Sequence, residues 1–187
     1  MWHNFLVKTY HSNQYQRSSW LKKPVQSGQN HRWLINSGSL TQRLRQHYAD
    51  FTVKLVSVVY AKPLFDEVAP LNIPAYKKAL IREVQLQGNQ QAVVFAHSVL
   101  PRESLRGRWL GLTRLGNRPL GASLFANKQV KRTALSYKKL SRQHPLYQHA
   151  IQHLNNPPAF LWARRSVFSL DCAHMLVTEV FLPELFK

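Results

Sequence analysis

His174-Met175-Leu176-Val177-Thr178-Glu179-Val180-Phe181-Leu182-Pro183 is the stretch on which the reading of this 187-residue chain turns. Its β-branched and aromatic residues, the polar turn Asp171-Cys172-Ala173 before it and the proline that closes it predict a strand of a central sheet. Alternation puts Glu179 on one face with Met175, Val177 and Phe181, while Leu176, Thr178 and Val180 line the other. Neither face reads as solvated, so the carboxylate needs a partner, because an unpaired buried charge is costly. The chain has 8 acidic residues against 26 basic ones, which makes the placement of an acid informative.

A chain of this length is read as one domain that buries about 70% of its unfolded surface, with no need of a disulfide or metal for stability. Cys172 is the single cysteine and has no internal partner. No run of about 18 apolar residues is present to span a membrane, and the first residues lack the layout of a signal peptide, so a cytoplasmic protein is expected. The formal charge of +18 predicts attraction to anions of any size. Lys128 to Arg142 holds six basic residues and no acid, but its spacing of Val130, Ala134, Leu135 and Leu140 reads as a helix with one solvated face. No nucleic-acid-binding motif accompanies it, and no specific nucleic-acid partner is expected.

Residues 1–30 show no sustained period and read as an irregular arm, with the folded domain over 31–187. Ser39 with Gln42 is a capping-box signature, and Leu40 with Leu44 predicts a short helix from Leu40 to His47. Phe51 to Tyr60 reads as a strand whose alternation lapses at Val56, through burial on both faces or a bulge. Three prolines make Lys62 to Ala75 a loop or broken helix. Leu80 to Gln87 alternates and runs into a Gly-Asn turn, with Ala92 to Val99 as its antiparallel partner. Alternation points Arg82 inward with Leu80, Val84 and Leu86, and leaves Glu83, Gln85 and Gln87 on a wet face.

Leu105, Trp109, Leu112 and Leu115 have helical spacing up to Gly116, and Leu115 to Gly121 is too rich in Gly and Pro for regular structure, with Leu124 and Phe125 in a short helix after it. Leu146, Tyr147, Ala150, Ile151 and Leu154 form a second helical stripe. Phe160 to Leu170 reads as a strand that sends Arg164 and Arg165 to opposite faces, one to meet an acid or a carbonyl and the other to solvent.

His149 and His153 stand at metal-gripping spacing, but no third ligand is suggested and they read as ordinary surface histidines. Cys172 and His174 carry no nucleophile signature. The remaining constellation is Arg82 with Glu179, each aimed into an apolar face from a different strand. Either it is a buried structural ion pair, or it lines a closed pocket where the guanidinium holds a ligand carboxylate and the glutamate handles a proton or hydroxyl. Pattern alone does not separate the two.

Six blocks in order resemble the chorismate pyruvate-lyases of bacterial ubiquinone biosynthesis. They are Ser39-Leu40-Thr41 with Arg43; Arg82-Glu83-Val84; Ser98-Val99-Leu100-Pro101; Leu115 to Gly121 with Leu124-Phe125; Leu161 to Ser166; and Thr178 to Pro183. The resemblance implies an α+β fold, a six-stranded antiparallel sheet covered by helices, with an internal site closed by flaps. It implies conversion of chorismate to 4-hydroxybenzoate and pyruvate with no metal or organic cofactor; a monomer is expected. By position, Arg82 resembles the arginine that holds the ligand carboxylate and Glu179 the catalytic acid, with Leu40 and Leu120 as further substrate contacts. The proton-donor role expects Glu179 to be kept protonated by apolar surroundings. The alternative within the same fold is a non-catalytic sensor of a small aromatic acid. Many members have an arginine where this chain has His97, from which weaker or more pH-dependent retention of the anionic product than in those relatives is expected, to be seen between about pH 6 and 8.

Overall fold

The computed structural model describes residues 19–105, 109, 118, 120–152 and 154–186. Seven strands among them make one antiparallel sheet: β1 (Thr52–Ala61), β2 (Ala79–Gly88), β3 (Gln91–Pro101), β4 (Lys131–Arg132), β5 (Ser136–Ser141), β6 (Phe160–Leu170) and β7 (Ala173–Phe181). The order across the sheet is β1-β2-β3-β7-β6-β4, and β5 also pairs with β6. β4 takes Phe168 and Ser169 while β5 takes residues 160–165, so two short strands share one edge and the sheet is six strands wide, as the resemblance implies.

The strand carrying Glu179 lies inside this sheet, paired with β3 on one side and β6 on the other. That position explains why both its faces are apolar: a central strand covered on both sides has no solvated face. β6 spans the residues that alternation assigns to it, and the lapse at Val56 is a bulge, since the β1–β2 register shifts between Leu55 and Ser57. The hairpin turn lies one residue later than expected. Asn89 and Gln90 are its central residues, both at positive φ (50° and 61°), which matches the twist of the strands. Asp50 fixes the turn by accepting from the Asn89 and Gln90 N–H groups at 2.8 and 3.1 Å.

Six short α-helices lie among the described residues: α1 (His31–Leu34), α2 (Leu40–His47), α3 (Phe65–Leu71), α4 (Arg102–Leu105), α5 (Leu120–Ala126) and α6 (Pro145–Ala150). α2 has the bounds its sequence predicts, with Ser39 Oγ accepting from the Gln42 N–H at 3.3 Å. α3 contains Pro70 and is the broken helix of the proline-rich segment. α1 and α2 contribute Leu34, Leu40 and Leu44 to one core, packed with Val84, Leu86, Val94, Ala96, Trp162 and Phe181. On the opposite face, α6 buries Leu146, Tyr147 and Ala150 against Phe95, Leu161, Ala163 and Val180.

Three expectations are corrected. The basic segment is not a helix: Lys131–Arg132 and Ser136–Ser141 are strands. The free edge of β6 supplies hydrogen-bond partners to this segment, and that long-range pairing overrides the local helical spacing. Nor is the Glu83 face wet, since Glu83 and Gln85 are 7% and 4% exposed beneath the layer that holds α3 and α6. Arg165 is not solvated either; it donates to the Asp66 carbonyl at 2.9 Å and lies 4.1 Å over the Trp20 ring. Most of the helix expected from Leu105 to Gly116, the loop from Leu115 to Pro119 apart from Arg118, the first 18 residues of the arm and His153 lie outside the described residues. Leu120 and Gly121, read as the end of that loop, open α5. The end of the arm that is described pairs with the sheet, Leu21 bridging to Tyr137.

Candidate active site

The registers define what lies on the sheet face beneath α2 and α5. Arg82 pairs with Ser98, Ser98 with Val177, and Val177 with Ser166. The next row on that face runs Val84, Ala96, Glu179, Arg164. Arg82 and Glu179 therefore share a face, one residue row apart, with β3 between their strands. Ala96 and Ser98, which have small side chains, form the floor between them.

Leu40 and Thr41 at the start of α2, and Leu120, Gly121, Leu124 and Phe125 of α5, roof a cavity whose floor and ends include Arg82, Ala96, Ser98, Val177, Glu179, Arg132 and Phe168. The four residues singled out from sequence, Leu40, Arg82, Leu120 and Glu179, all line this one cavity. The roof is close-fitting: a Cβ on Gly121 would lie 3.0 Å from Thr41 Oγ1 and 3.3 Å from Ser39 Oγ, so glycine lets α5 approach α2.

Arg82 and Glu179 are not an ion pair. Arg82 is 5% exposed and donates from Nη2 to the Arg118 carbonyl at 3.0 Å; burial lowers its pKa from the usual arginine value. Glu179 is held instead by Arg164, whose Nε donates to Oε2 at 2.5 Å. Arg164 is fully buried, and its Nη1 also donates to the carbonyls of Trp33, Leu34 and Asn36 at 2.9, 3.2 and 2.6 Å. These acceptors lie at the end of α1, where carbonyls lack intrahelical partners. The wholly apolar surroundings expected for Glu179 are thus replaced, on the Oε2 side, by a guanidinium.

Arg132 is a cavity residue that the sequence reading missed. It came from the segment read as a helix, where basic residues look solvated, and only the β4–β6 pairing of Arg132 with Phe168 turns it to the cavity. Its Nε donates to Ser166 Oγ at 2.7 Å and Nη1 to the Ser37 carbonyl at 2.6 Å. The guanidinium lies over the rings of Phe125 and Phe168, 5.5 and 5.0 Å from their centroids.

His97 does not face the cavity. It projects from the other side of β3, with Nδ1 3.0 Å from Glu83 Oε1 and Nε2 3.1 Å from Glu67 Oε1. Burial works against its charged form, but the hydrogen bonds and charges of the two glutamates outweigh this and push its pKa up to about 9. His97 is therefore charged throughout the range in which an exposed histidine titrates, and the expected titration at the ligand between pH 6 and 8 has no structural basis. His149, taken as a surface histidine, joins the same cluster with Nδ1 2.7 Å from Glu83 Oε1. His174 Nδ1 meets Ser169 Oγ at 2.9 Å, and Cys172 is exposed.

The family description "Chorismate lyase" matches residues 12–187. A "Probable chorismate pyruvate-lyase" of Thiobacillus denitrificans is 48% identical over 167 residues, covering 89% of this chain and 89% of that protein. One from Nitrosomonas europaea is 45% identical over 166 residues, covering 88% and 93%. Among solved structures, the effector domain of PhnF from Mycobacterium smegmatis matches with a TM-score of 0.54 at 13% identity, covering 80% of this chain and 91% of that one. The "PhnF C-terminal domain" matches at 0.56 and 14% identity, covering 72% and 84%. At such identities the structural likeness carries the fold alone, whereas the sequence matches carry kinship: the chain belongs to the chorismate lyase family.

Proposed function

We propose that this chain is a chorismate pyruvate-lyase, eliminating pyruvate from chorismate to leave 4-hydroxybenzoate and so opening the ubiquinone pathway. The observation that carries this reading is the cavity in which Arg82 and Glu179 face the same enclosed space without being paired to each other. A buried guanidinium at one end suits a ligand carboxylate, and the apolar roof of Leu40, Leu120 and Leu124 suits a six-membered ring.

The reaction needs little more than positioning. The ether bond between the ring and the enolpyruvyl group breaks, the hydrogen on the hydroxyl-bearing ring carbon is lost, and the enolpyruvyl carbon gains one; substrate and products balance with no water, oxidant or reductant. Aromatisation drives the step, so a site that holds the ring and places one polar group contributes through proximity and proton handling. In this reading Arg82 anchors the ring carboxylate and Glu179 faces the ring hydroxyl and the scissile ether. Arg164 holds the Glu179 carboxylate in place as a hydrogen-bond acceptor for that hydroxyl. No cofactor is called for by the stoichiometry.

A second reading, a sensor of a small aromatic acid, draws on the likeness to the PhnF effector domain. The two separate on turnover. Purified protein incubated with chorismate is expected to release pyruvate and 4-hydroxybenzoate in equal amounts; binding of 4-hydroxybenzoate without any release from chorismate would favour the sensor.

A further inference from the structure

Chorismate carries two carboxylates, one on the ring and one on the enolpyruvyl side chain, and Arg82 answers only the first. The row Arg82, Ser98, Val177, Ser166 crosses four adjacent strands, so its ends are three strand spacings, about 14 Å, apart along the sheet. Arg132 reaches the cavity over the far end of this row, hydrogen-bonded to Ser166. Glu179 belongs to the neighbouring row on β7, beside the space between the two arginines.

Arg132 is built to present a charge. Its Nε and Nη1 contacts to Ser166 and Ser37 and the two phenylalanine rings fix the plane of the guanidinium. Those contacts use two of five N–H donors, and Nη2 has no hydrogen-bond partner among the described residues. All its protein acceptors are neutral: Glu179 is taken by Arg164, and no carboxylate of the described residues lies within ion-pair range of Arg132. A half-buried guanidinium in hydrogen-bonding contact with no carboxylate of the described residues, with Glu179 acting on it only at longer range and two aromatic rings to one side, at the wall of the cavity, is a receptor for a planar anion.

We infer that Arg132 binds the enolpyruvyl carboxylate, and that it is the residue by which the site distinguishes the dicarboxylate substrate from the monocarboxylate aromatic product. This rests on the lyase reading and adds a direction to it: ring carboxylate towards Arg82, side-chain carboxylate towards Arg132, scissile ether between them beside Glu179. Once the ether is cut, pyruvate leaves from the Arg132 end, and the aromatic product keeps only its anchor at Arg82.

The test compares Arg132→Gln with Arg132→Lys, reading KM for chorismate and, by calorimetry, the dissociation constant of 4-hydroxybenzoate. Arg132→Gln is expected to raise KM about 10- to 100-fold, the range for losing a hydrogen bond to a charged group, and to leave product affinity within about 3-fold. Arg132→Lys, which keeps a charge but not the fork, is expected to fall between. Ser166→Ala, which removes the acceptor of Nε, moves KM in the same direction and serves if Arg132→Gln does not fold. KM and product dissociation constant rising together would reduce Arg132 to a structural prop, and an unchanged KM would remove it from the site; either overturns the inference. Wild-type protein that releases no pyruvate overturns the lyase reading instead. The Arg132 claim is then read from chorismate affinity by calorimetry, where equal loss for chorismate and 4-hydroxybenzoate, or no loss, refutes it.

Discussion

Arg164 Nε donates to Glu179 Oε2 at 2.5 Å while its Nη1 grips three carbonyls around the end of α1, so one buried side chain ties the acid of the site to the backbone under the α1–α2 connection. Removing it strips Glu179 of its cation and leaves carbonyls without a donor. Arg164→Met is expected to cost about 3–5 kcal/mol of stability, the range for breaking a buried pair from one side, and to abolish turnover. Urea unfolding and the chorismate assay check it. A stable, active Arg164→Met protein would show that Glu179 is oriented by something else.

Glu179→Gln keeps the shape of the side chain and one acceptor oxygen while removing the carboxylate. If Glu179 handles the transferred proton, kcat falls about 10²- to 10⁴-fold, the usual contribution of a positioned acid or base, with 4-hydroxybenzoate affinity nearly unchanged. If it only orients the ring hydroxyl, kcat falls by less than about 10-fold and the loss appears in KM. Steady-state kinetics with product titration separates the two, and unchanged turnover with intact product binding would sink both roles.

The cluster on the opposite face governs pH-dependent stability. His97 is raised from 6.5 to about 9 by Glu67 and Glu83 against the cost of burial, so its contribution is fully present below pH 6.5 and is lost as pH rises through 9. Glu83 is lowered from 4.5 to about 2, His97 and His149 outweighing its burial; its contribution is present above pH 4.5 and lost as pH falls through 2. Melting temperature against pH is expected to be highest between about 4.5 and 6.5, and His97→Gln to flatten the alkaline limb. Product affinity in wild type is expected to show no histidine-like inflection between pH 6 and 8, and an inflection that disappears in His97→Gln would restore a link from His97 to the ligand.

Gly121→Ala tests the roof. Its Cβ would stand 3.0 Å from Thr41 Oγ1, so α2 and α5 must separate by a few tenths of an ångström over the ligand. KM for chorismate is expected to rise about 3- to 10-fold while the melting temperature moves little, since overpacking at the site weakens fit more than fold. A large fall in melting temperature with unchanged KM would place the strain in the core instead.

Much of this was legible in the chain because alternation fixes which residues share a face. The strand bounds of β6, the helix Leu40–His47 and the inward turn of Arg82 all follow from local pattern, and Glu179 stood out as an acid on an apolar face. What covers a face is not local. Glu83 and Gln85 read as wet because nothing in Leu80 to Gln87 announces that the layer holding α3 and α6 lies over them. Alternation sends Arg164 and Arg165 to opposite faces but leaves open which of them meets an acid, and the β6–β7 register decides it by setting Arg164 directly beside Glu179. Arg132 was hidden for the same reason: its segment is helical by spacing and becomes a strand only through the edge of β6.

The most direct test of the central claim is the structure of the protein with 4-hydroxybenzoate bound. The account predicts the product inside the cavity beneath Leu40 and Leu120, its carboxylate on the Arg82 guanidinium and its hydroxyl within hydrogen-bond distance of Glu179, with the Arg164–Glu179 pair intact. A product lying elsewhere, or one whose carboxylate displaces Glu179 from Arg164 and leaves Arg82 untouched, would contradict it.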